Sequence, residues 1–291
     1  MAISISATEY SDKMQHPNRY FYDDAIKNGR AEKGKKSGSL YSAQGANAIT
    51  FKFNDARQKT VAVRCFLRGA YLTQNNDIGE RYAAISQFIA STGDPMFAAF
   101  QFQAQGVAHE GNALPIVVME WVNGVSLTRY VKQHIDDFRV MVALAGSFRA
   151  LASRLKGLGC AHGDLQHGNL LVDASGSLRL VDYDGMFVPV LKGKAAIEKG
   201  EANYQSPKRT PHEFHERLDH FSAITIYLSL IALASAPRLL PLDAKRNIDV
   251  LLIRESDLKD PQHSALFACL WELGLRTPIE RFAALCATPN T

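Results

Sequence analysis

The chain has 291 residues, of which 46% are apolar and 21% are charged. A chain of this size and composition buries about three quarters of its unfolded surface in a core, which excludes a disordered protein. The 33 Lys and Arg residues against 29 Asp and Glu residues leave a formal net charge of +4, too small to indicate a nucleic-acid partner. The four cysteines include no C-x-x-C pair, so neither a disulfide framework nor a zinc site is indicated, and we expect a cytoplasmic protein.

Residues 1–36 are polar and include a basic tract, so we expect a loosely packed, solvent-exposed lead-in. The first residues, MAISISATEYSDK, lack the basic and apolar regions of a secretory signal. The β-rich part follows, with AITFKF at residues 48–53 and TVAVRCF at residues 60–66. These runs are separated by the turn-like NDARQK, which predicts a β-hairpin.

Apolar residues recur at helical spacing in IGERYAAISQFIAS, which predicts a helix over residues 78–91. Two more strand-like runs follow, FAAFQFQAQGV and LPIVVMEWV. Beyond Gly124 the chain is mostly helical, with a long helix predicted over residues 138–158. Strands followed by helices are typical of an α+β protein with two segregated lobes, and we place the hinge near residues 120–124.

The longest uncharged run, FSAITIYLSLIALASAP, occupies residues 221–237. It is slightly shorter than a membrane span and contains four Ser and Thr residues. We therefore predict a buried core helix and no membrane span.

The clearest chemical signature lies in AHGDLQHGNLLVDASGSLRLVDYD, residues 161–184. Asn169 follows Asp164 by five residues, and Asp182 follows it by eighteen. Phosphoryl transfer from ATP needs one carboxylate that orients the acceptor hydroxyl and several oxygen ligands that hold Mg²⁺. An Asp, an Asn and an Asp from one loop and the adjoining strand end meet both needs.

HGDLQHGN resembles the catalytic loop of protein kinases, H-R-D-L-x-x-x-N, and the DYD that begins at Asp182 resembles D-F-G. The resemblance implies a bilobal protein kinase-like fold of the α+β class. The β-rich N-lobe would span residues 37–123, and a helical, shortened C-lobe would span residues 124–291. It also implies ATP and Mg²⁺ as cofactors, bound between the lobes, with Asp164 as the catalytic base and Asn169 and Asp182 as metal ligands.

The resemblance extends to elements that bind the nucleotide. IVVMEWVNGVSL resembles the last N-lobe strand and the hinge, which implies that Met119 is the gatekeeper and that the backbone of Glu120 and Val122 faces the adenine. SAQGANAITF occupies the position of the loop that covers the phosphates. It offers only Gly45 where the family usually has two or three glycines.

Two positions depart from the kinase pattern. VAVRCF resembles the V-A-I-K strand but has Arg64 in place of the phosphate-binding lysine, and Glu80 on the next helix is the candidate partner of that cation. An arginine is not equivalent to a lysine, so Arg64 either supports nucleotide binding or marks a kinase-like protein without activity. Glu80 is otherwise an exposed helix-face residue. Gly163 stands where phosphorylation-activated kinases have an arginine, so we expect no requirement for such phosphorylation.

The activation segment and the helix after it also resemble those of protein kinases. NYQSP at residues 203–207 resembles the end of the activation segment, and LDHFSAITIYLSL resembles the start of the buried F helix. This implies that Asp219 hydrogen-bonds the backbone of the catalytic loop. Several basic residues lie in this region, among them Lys208 and Arg209, and we expect a solvated loop, with attraction of an acidic substrate as the alternative.

Three functions remain open. The first is a kinase that transfers the ATP γ-phosphoryl group to Ser or Thr hydroxyls of a protein. The second is a nucleotide-binding pseudokinase or scaffold. The third is a small-molecule kinase, because H-G-D and H-G-N also resemble aminoglycoside and choline phosphotransferases. HGDLQHGNLLV and LVDYDGMFVPV resemble a group of bacterial atypical Ser/Thr kinases found beside von Willebrand A domain proteins and PP2C-type phosphatases, which implies such proteins as partners.

Overall fold

The structure is a computed structural model that describes residues 4–34, 38–45, 47–67, 77–240 and 251–288. The chain divides into two compact units. The first unit contains the described residues up to Asp94 together with Ala98–Trp121. The second contains Pro95–Phe97 and the described residues from Val122 onward.

The first unit is built on a six-stranded antiparallel sheet. Its strands are β1 (Arg30–Ala31), β2 (Ser42–Gln44), β3 (Ala48–Asn54), β4 (Thr60–Phe66), β5 (Phe100–His109) and β6 (Asn112–Glu120). They lie in the order β1-β3-β4-β6-β5, and β2 also pairs with β3. The predicted hairpin is β3 and β4, paired with Phe51 opposite Val63, both fully buried. Strict alternation along both strands sends these side chains to one covered face.

Four helices within the described residues accompany this sheet: α1 (Ala7–Gln15), α2 (Pro17–Tyr20), α3 (Asp24–Lys27) and α4 (Ile78–Thr92). The helix predicted over residues 78–91 is α4. Its buried Tyr82 stacks on Phe102 of β5, with ring centroids 5.1 Å apart, and meets Phe100 edge to face. The apolar face read from its sequence therefore packs on the sheet.

The N-terminal segment is packed onto the first unit, so the loosely packed lead-in predicted for residues 1–36 is wrong for its described helices. Tyr10, Met14 and Ile26 are buried, and the Tyr10 hydroxyl donates a hydrogen bond of 2.9 Å to the carbonyl oxygen of Phe66. Each short helix needs only one or two apolar side chains to bury a face, so a polar average composition did not reveal the packing. Part of the predicted basic tract, Lys35 and Lys36, lies outside the described residues.

We expect Tyr10→Ala to lower the free energy of unfolding by about 3–5 kcal/mol, because it removes a buried aromatic ring and leaves a cavity. Tyr22→Ala is the matched control, because that ring is 53% exposed, and we expect less than about 1 kcal/mol. Urea denaturation followed by circular dichroism measures both. Equal, small effects would show that the segment does not stabilise the unit.

The second unit is mostly helical and carries one small sheet. The strands are β7 (Gly124–Ser126), β8 (Leu170–Asp173) and β9 (Leu178–Leu180), in the order β7-β8-β9. The helices are α5 (Leu127–His134), α6 (Phe138–Gly157), α7 (Asp219–Ser235), α8 (Glu255–Lys259), α9 (Ala265–Leu270) and α10 (Arg276–Ala287). The long helix predicted over residues 138–158 is α6.

Helix α7 forms the core of the second unit, as predicted from its uncharged sequence. Its three fully buried polar side chains are hydrogen-bonded to backbone. Thr225 and Ser229 donate to the carbonyl oxygens four residues earlier, and Ser222 donates to that of Tyr204 at 2.7 Å. These bonds remove the cost of burying hydroxyl groups. Within the described part of the chain, no helix is both long and apolar enough to cross a membrane.

Candidate functional site

The loop between α6 and β8 carries the two residues predicted first for catalysis, and the structure brings them into contact. The side-chain amide of Asn169 donates to the backbone carbonyl of Asp164 at 2.9 Å and to its Oδ2 atom at 3.1 Å. Asn169 itself is buried. Both bonds use the amide nitrogen, so the amide oxygen of Asn169 stays available as a ligand.

The other oxygen of Asp164 is bonded by residues just before NYQSP, for which the sequence predicts no role. The backbone N–H of Glu201 donates to Asp164 Oδ1 at 2.7 Å. Gly200 packs against the same atom, since a β-carbon at Gly200 would lie 2.8 Å from Oδ1. A glycine three residues before NYQSP was the available signal for this close approach. The Asp164 carboxylate is therefore oriented by donors on both oxygens.

Asp182 lies two residues after the end of β9 and is held beside this loop. The preceding residue, Val181, donates its N–H to the carbonyl of Asn169 at 3.1 Å, and its own carbonyl lies 2.9 Å from His162 Nε2. The backbone of Asp182 has φ 67°, a conformation that non-glycine residues rarely adopt. Such strain is found at functional sites where the surroundings enforce it.

Asp219, the first residue of α7, anchors the loop between α6 and β8 and confirms the predicted backbone contact. Its carboxylate accepts the N–H groups of His162 and Gly163, the second at 2.9 Å. Burial raises the pKa of Asp219, while His162, the two amides and the charge of Arg209 act in the opposite direction. The carboxylate therefore fixes the backbone just before Asp164.

Arg209 is buried, so the solvated loop predicted for it is wrong. It is 3% exposed, and its Nη1 atom donates to the carbonyl of Gly163 at 2.9 Å and to the side chain of Gln205. Burial lowers the pKa of Arg209, and the negative charges of Asp219 and Glu213 oppose that effect. A basic residue in a polar run was expected to face solvent, and only the path of the chain after Pro207 turns it inward.

Tyr204 joins the activation segment to the catalytic loop. Its hydroxyl lies 2.6 Å from His167 Nδ1 and accepts the backbone N–H of Leu251 at 3.3 Å. Its carbonyl accepts the Ser222 hydroxyl of α7. Tyr204 belongs to the NYQSP motif, but its sequence context predicts no role for it, because its partners lie far from it along the chain.

The predicted nucleotide-binding residues of the first unit lie on its sheet and on α4. Gly45 follows β2, and its N–H donates to the carbonyl of Ala48 at 2.9 Å. Arg64 of β4 lies opposite Val117 of β6, two positions before Met119 on the same strand, so Arg64 and Met119 lie on one face of the sheet. Glu80 is exposed in the first turn of α4.

The predicted hinge residues lie at the change from the first unit to the second. The N–H of Glu120 donates to the carbonyl of Ala99 at 2.8 Å, so this group is already used within the first unit. The carbonyl of Val122 accepts the N–H of Gly124 at 3.0 Å. Among the described residues, the Val122 N–H has no partner, and the predicted contacts with adenine stay a prediction.

A comparison with protein-family models finds one match, described as the ABC1 atypical kinase-like domain, over residues 103–193. This stretch contains Asp164, Asn169 and Asp182 but neither Arg64 nor Glu80. No curated protein matches the chain. Similarity to this domain indicates kinase-like phosphotransfer or nucleotide binding. An antiparallel-sheet unit and a helical unit confirm the predicted α+β class, and the match, over less than half of the chain, shows similarity to protein kinase-like domains.

Proposed function

We propose that the protein transfers the γ-phosphoryl group of ATP to Ser or Thr hydroxyls of a protein substrate. The observation that carries this proposal is the bonding of Asp164, whose two carboxylate oxygens are held by Asn169 and by the N–H of Glu201. Each oxygen keeps a further lone pair that can accept a hydroxyl proton. Asp164 accepts that proton while the acceptor oxygen bonds to phosphorus and the bond to the leaving ADP breaks.

The donor set near Asp164 fits a magnesium ion that is shared with nucleotide phosphates. Mg²⁺ usually takes one or two protein carboxylates, with phosphates and water completing its octahedron. The amide oxygen of Asn169 and the carboxylate of Asp182 are the protein ligands in this proposal. When bound, the ion supplies positive charge that offsets the phosphate charge.

The test is transfer of labelled γ-phosphate with Mg²⁺, both to the protein itself and to a protein mixture. We expect Asp164→Ala to reduce label transfer by roughly 10²–10⁴-fold, the usual contribution of a general base. Asp136→Ala, at an exposed carboxylate of the same unit, is the matched control and should transfer normally. Label found only on a small molecule would instead favour the small-molecule kinase.

A second candidate function, nucleotide binding without transfer, is favoured by Arg64 in place of the expected lysine. The bulkier planar guanidinium does not reproduce the position of an ammonium group. Measurable ATP binding with no transfer above the Asp164→Ala background would support this alternative. The proposed von Willebrand A domain and PP2C-type partners fit either function.

Arg64→Lys separates the two roles of this cation. If Arg64 contacts the phosphates in an active enzyme, we expect kcat/KM for ATP to change less than about fivefold, or about 1 kcal/mol, because the positive charge is kept. The control is Arg57→Lys, the same change at an exposed turn. An increase in kcat/KM for ATP of a hundredfold or more would contradict the active-enzyme proposal, because it would show that the native arginine disables the site.

A further inference from the structure

A cavity of about 620 Å³ lies among α6, α7 and α10 of the second unit, and we call it the helix groove. Its apolar wall includes Phe148, Ile224, Leu228, Phe282 and Leu285. Residues Asp164, Asn169 and Asp182 do not line it. The helix groove is therefore distinct from the candidate active site.

Residues 221–235 of α7 carry no charged side chain, and one face of this helix lines the groove. His220, Ile224 and Leu228 recur every four residues along α7 and line the groove as one stripe. Across from it, Leu285 of α10 is 41% exposed. The groove leaves apolar surface open at Ile224, which is partly exposed, and at Leu285, whereas Phe148, Leu228 and Phe282 are buried. A hydrocarbon ligand would be stabilised by removing that open surface, and its own chain, from water.

The charges along the groove have a single sign. Arg149, Lys156 and Arg281 line it and are exposed, and no Asp or Glu is among the lining residues. Within the described ranges, none of these three cations forms an ion pair. An apolar wall with unpaired cations is complementary to a molecule that has a hydrocarbon chain and a negative head group.

His220 adds a polar group to the groove. Its Nε2 atom is buried and, among the described residues, has no hydrogen-bond partner. Burial lowers the pKa of His220, and the nearby charge of Lys156 lowers it further. The neutral ring can donate one hydrogen bond to a ligand oxygen. This group points to an occupant with at least one polar atom.

We propose that the helix groove binds a single-chain anionic amphiphile, with a long-chain fatty acid as the simplest example. The chain lies on the apolar wall, and the carboxylate faces Arg149, Lys156 and Arg281. The cavity volume lies within the range of about 300–1,000 Å³ that is typical of small-ligand sites.

The experiment measures binding of laurate, below its critical micelle concentration, to the full chain by isothermal titration calorimetry. We expect one site per protein chain and at least tenfold weaker binding of dodecyltrimethylammonium, which has a hydrocarbon chain of similar length and the opposite charge.

Ala223→Trp fills the groove and should reduce laurate affinity at least tenfold. Arg281→Glu should also reduce it about tenfold and leave dodecanol affinity unchanged. The matched controls are Val142→Trp, at a 48% exposed site on α6, and Arg57→Glu, which should both bind laurate normally.

Several results would overturn the proposal. Equal affinities for laurate, dodecanol and the cationic amphiphile would exclude the role of the cations. Laurate affinity unchanged in folded Ala223→Trp and in Leu285→Trp would place the amphiphile elsewhere. Absence of laurate binding would also overturn the proposal. This outcome includes the case in which a second copy of the chain or an acidic helical peptide binds in the groove instead. Circular dichroism verifies that each variant is folded. The readout is binding without ATP, so it is independent of whether the protein transfers phosphate.

Discussion

Gly163→Ala is expected to lower the free energy of unfolding by more than about 3 kcal/mol and to abolish phosphate transfer. The β-carbon would lie 1.9 Å from the carbonyl oxygen of Gly185, a backbone atom that cannot rotate away. Gly163 also has φ 81°, which adds strain for any other residue. To relieve the overlap, the catalytic loop would have to separate from the segment after Asp182.

The matched control is Gly176→Ala in the turn between β8 and β9. Gly176 has φ 80°, but a β-carbon there meets no atom within 4 Å. Gly176→Ala therefore measures only the loss of unfolding free energy that comes from placing alanine in the left-handed conformation, which we expect to be about 1–2 kcal/mol. Urea denaturation gives both values. Equal losses of unfolding free energy in the two variants would show that the backbone near Gly163 can shift to accommodate the methyl group at little cost. The same overlap explains why no arginine precedes Asp164 in this chain.

Asp219→Ala is expected to cost about 3–5 kcal/mol of unfolding free energy. It leaves the buried N–H groups of His162 and Gly163 without their acceptor and removes a negative charge that offsets Arg209. Asp219→Asn should lower the free energy of unfolding by less, because its remaining carbonyl oxygen still accepts a hydrogen bond. Phosphate transfer should fall in the same order, since Asp164 follows the anchored backbone directly.

The control for Asp219 is Asp173→Ala. Asp173 Oδ1 accepts two backbone N–H groups as well, from Ser175 at 2.9 Å and Ser177 at 3.0 Å, but in an exposed turn where water replaces the lost acceptor. We expect a loss below about 1.5 kcal/mol. A loss at Asp173 as large as that at Asp219 would contradict the importance of burial.

Local periodicity was sufficient to predict the regular elements that form the frame of the site. The hairpin of β3 and β4, the helices α4 and α6 and the buried helix α7 are where their apolar spacing indicates. Each depends on which face of one element is apolar, a property that a single stretch of sequence contains. The N-terminal helices were missed because short elements with few apolar residues carry little periodic signal, although Tyr10 and Met14 are buried.

The sequence by itself determined the class of fold, the resemblance to protein kinases and the choice of Asp164, Asn169 and Asp182 as candidate residues, because these depend on residue types at short spacings. Only the tertiary structure decided which groups hold them. The N–H of Glu201 reaches Asp164 from 37 residues away, and Arg209 is buried against the carbonyl of Gly163. Contacts between distant residues depend on where the folded chain returns, and no local pattern encodes that path.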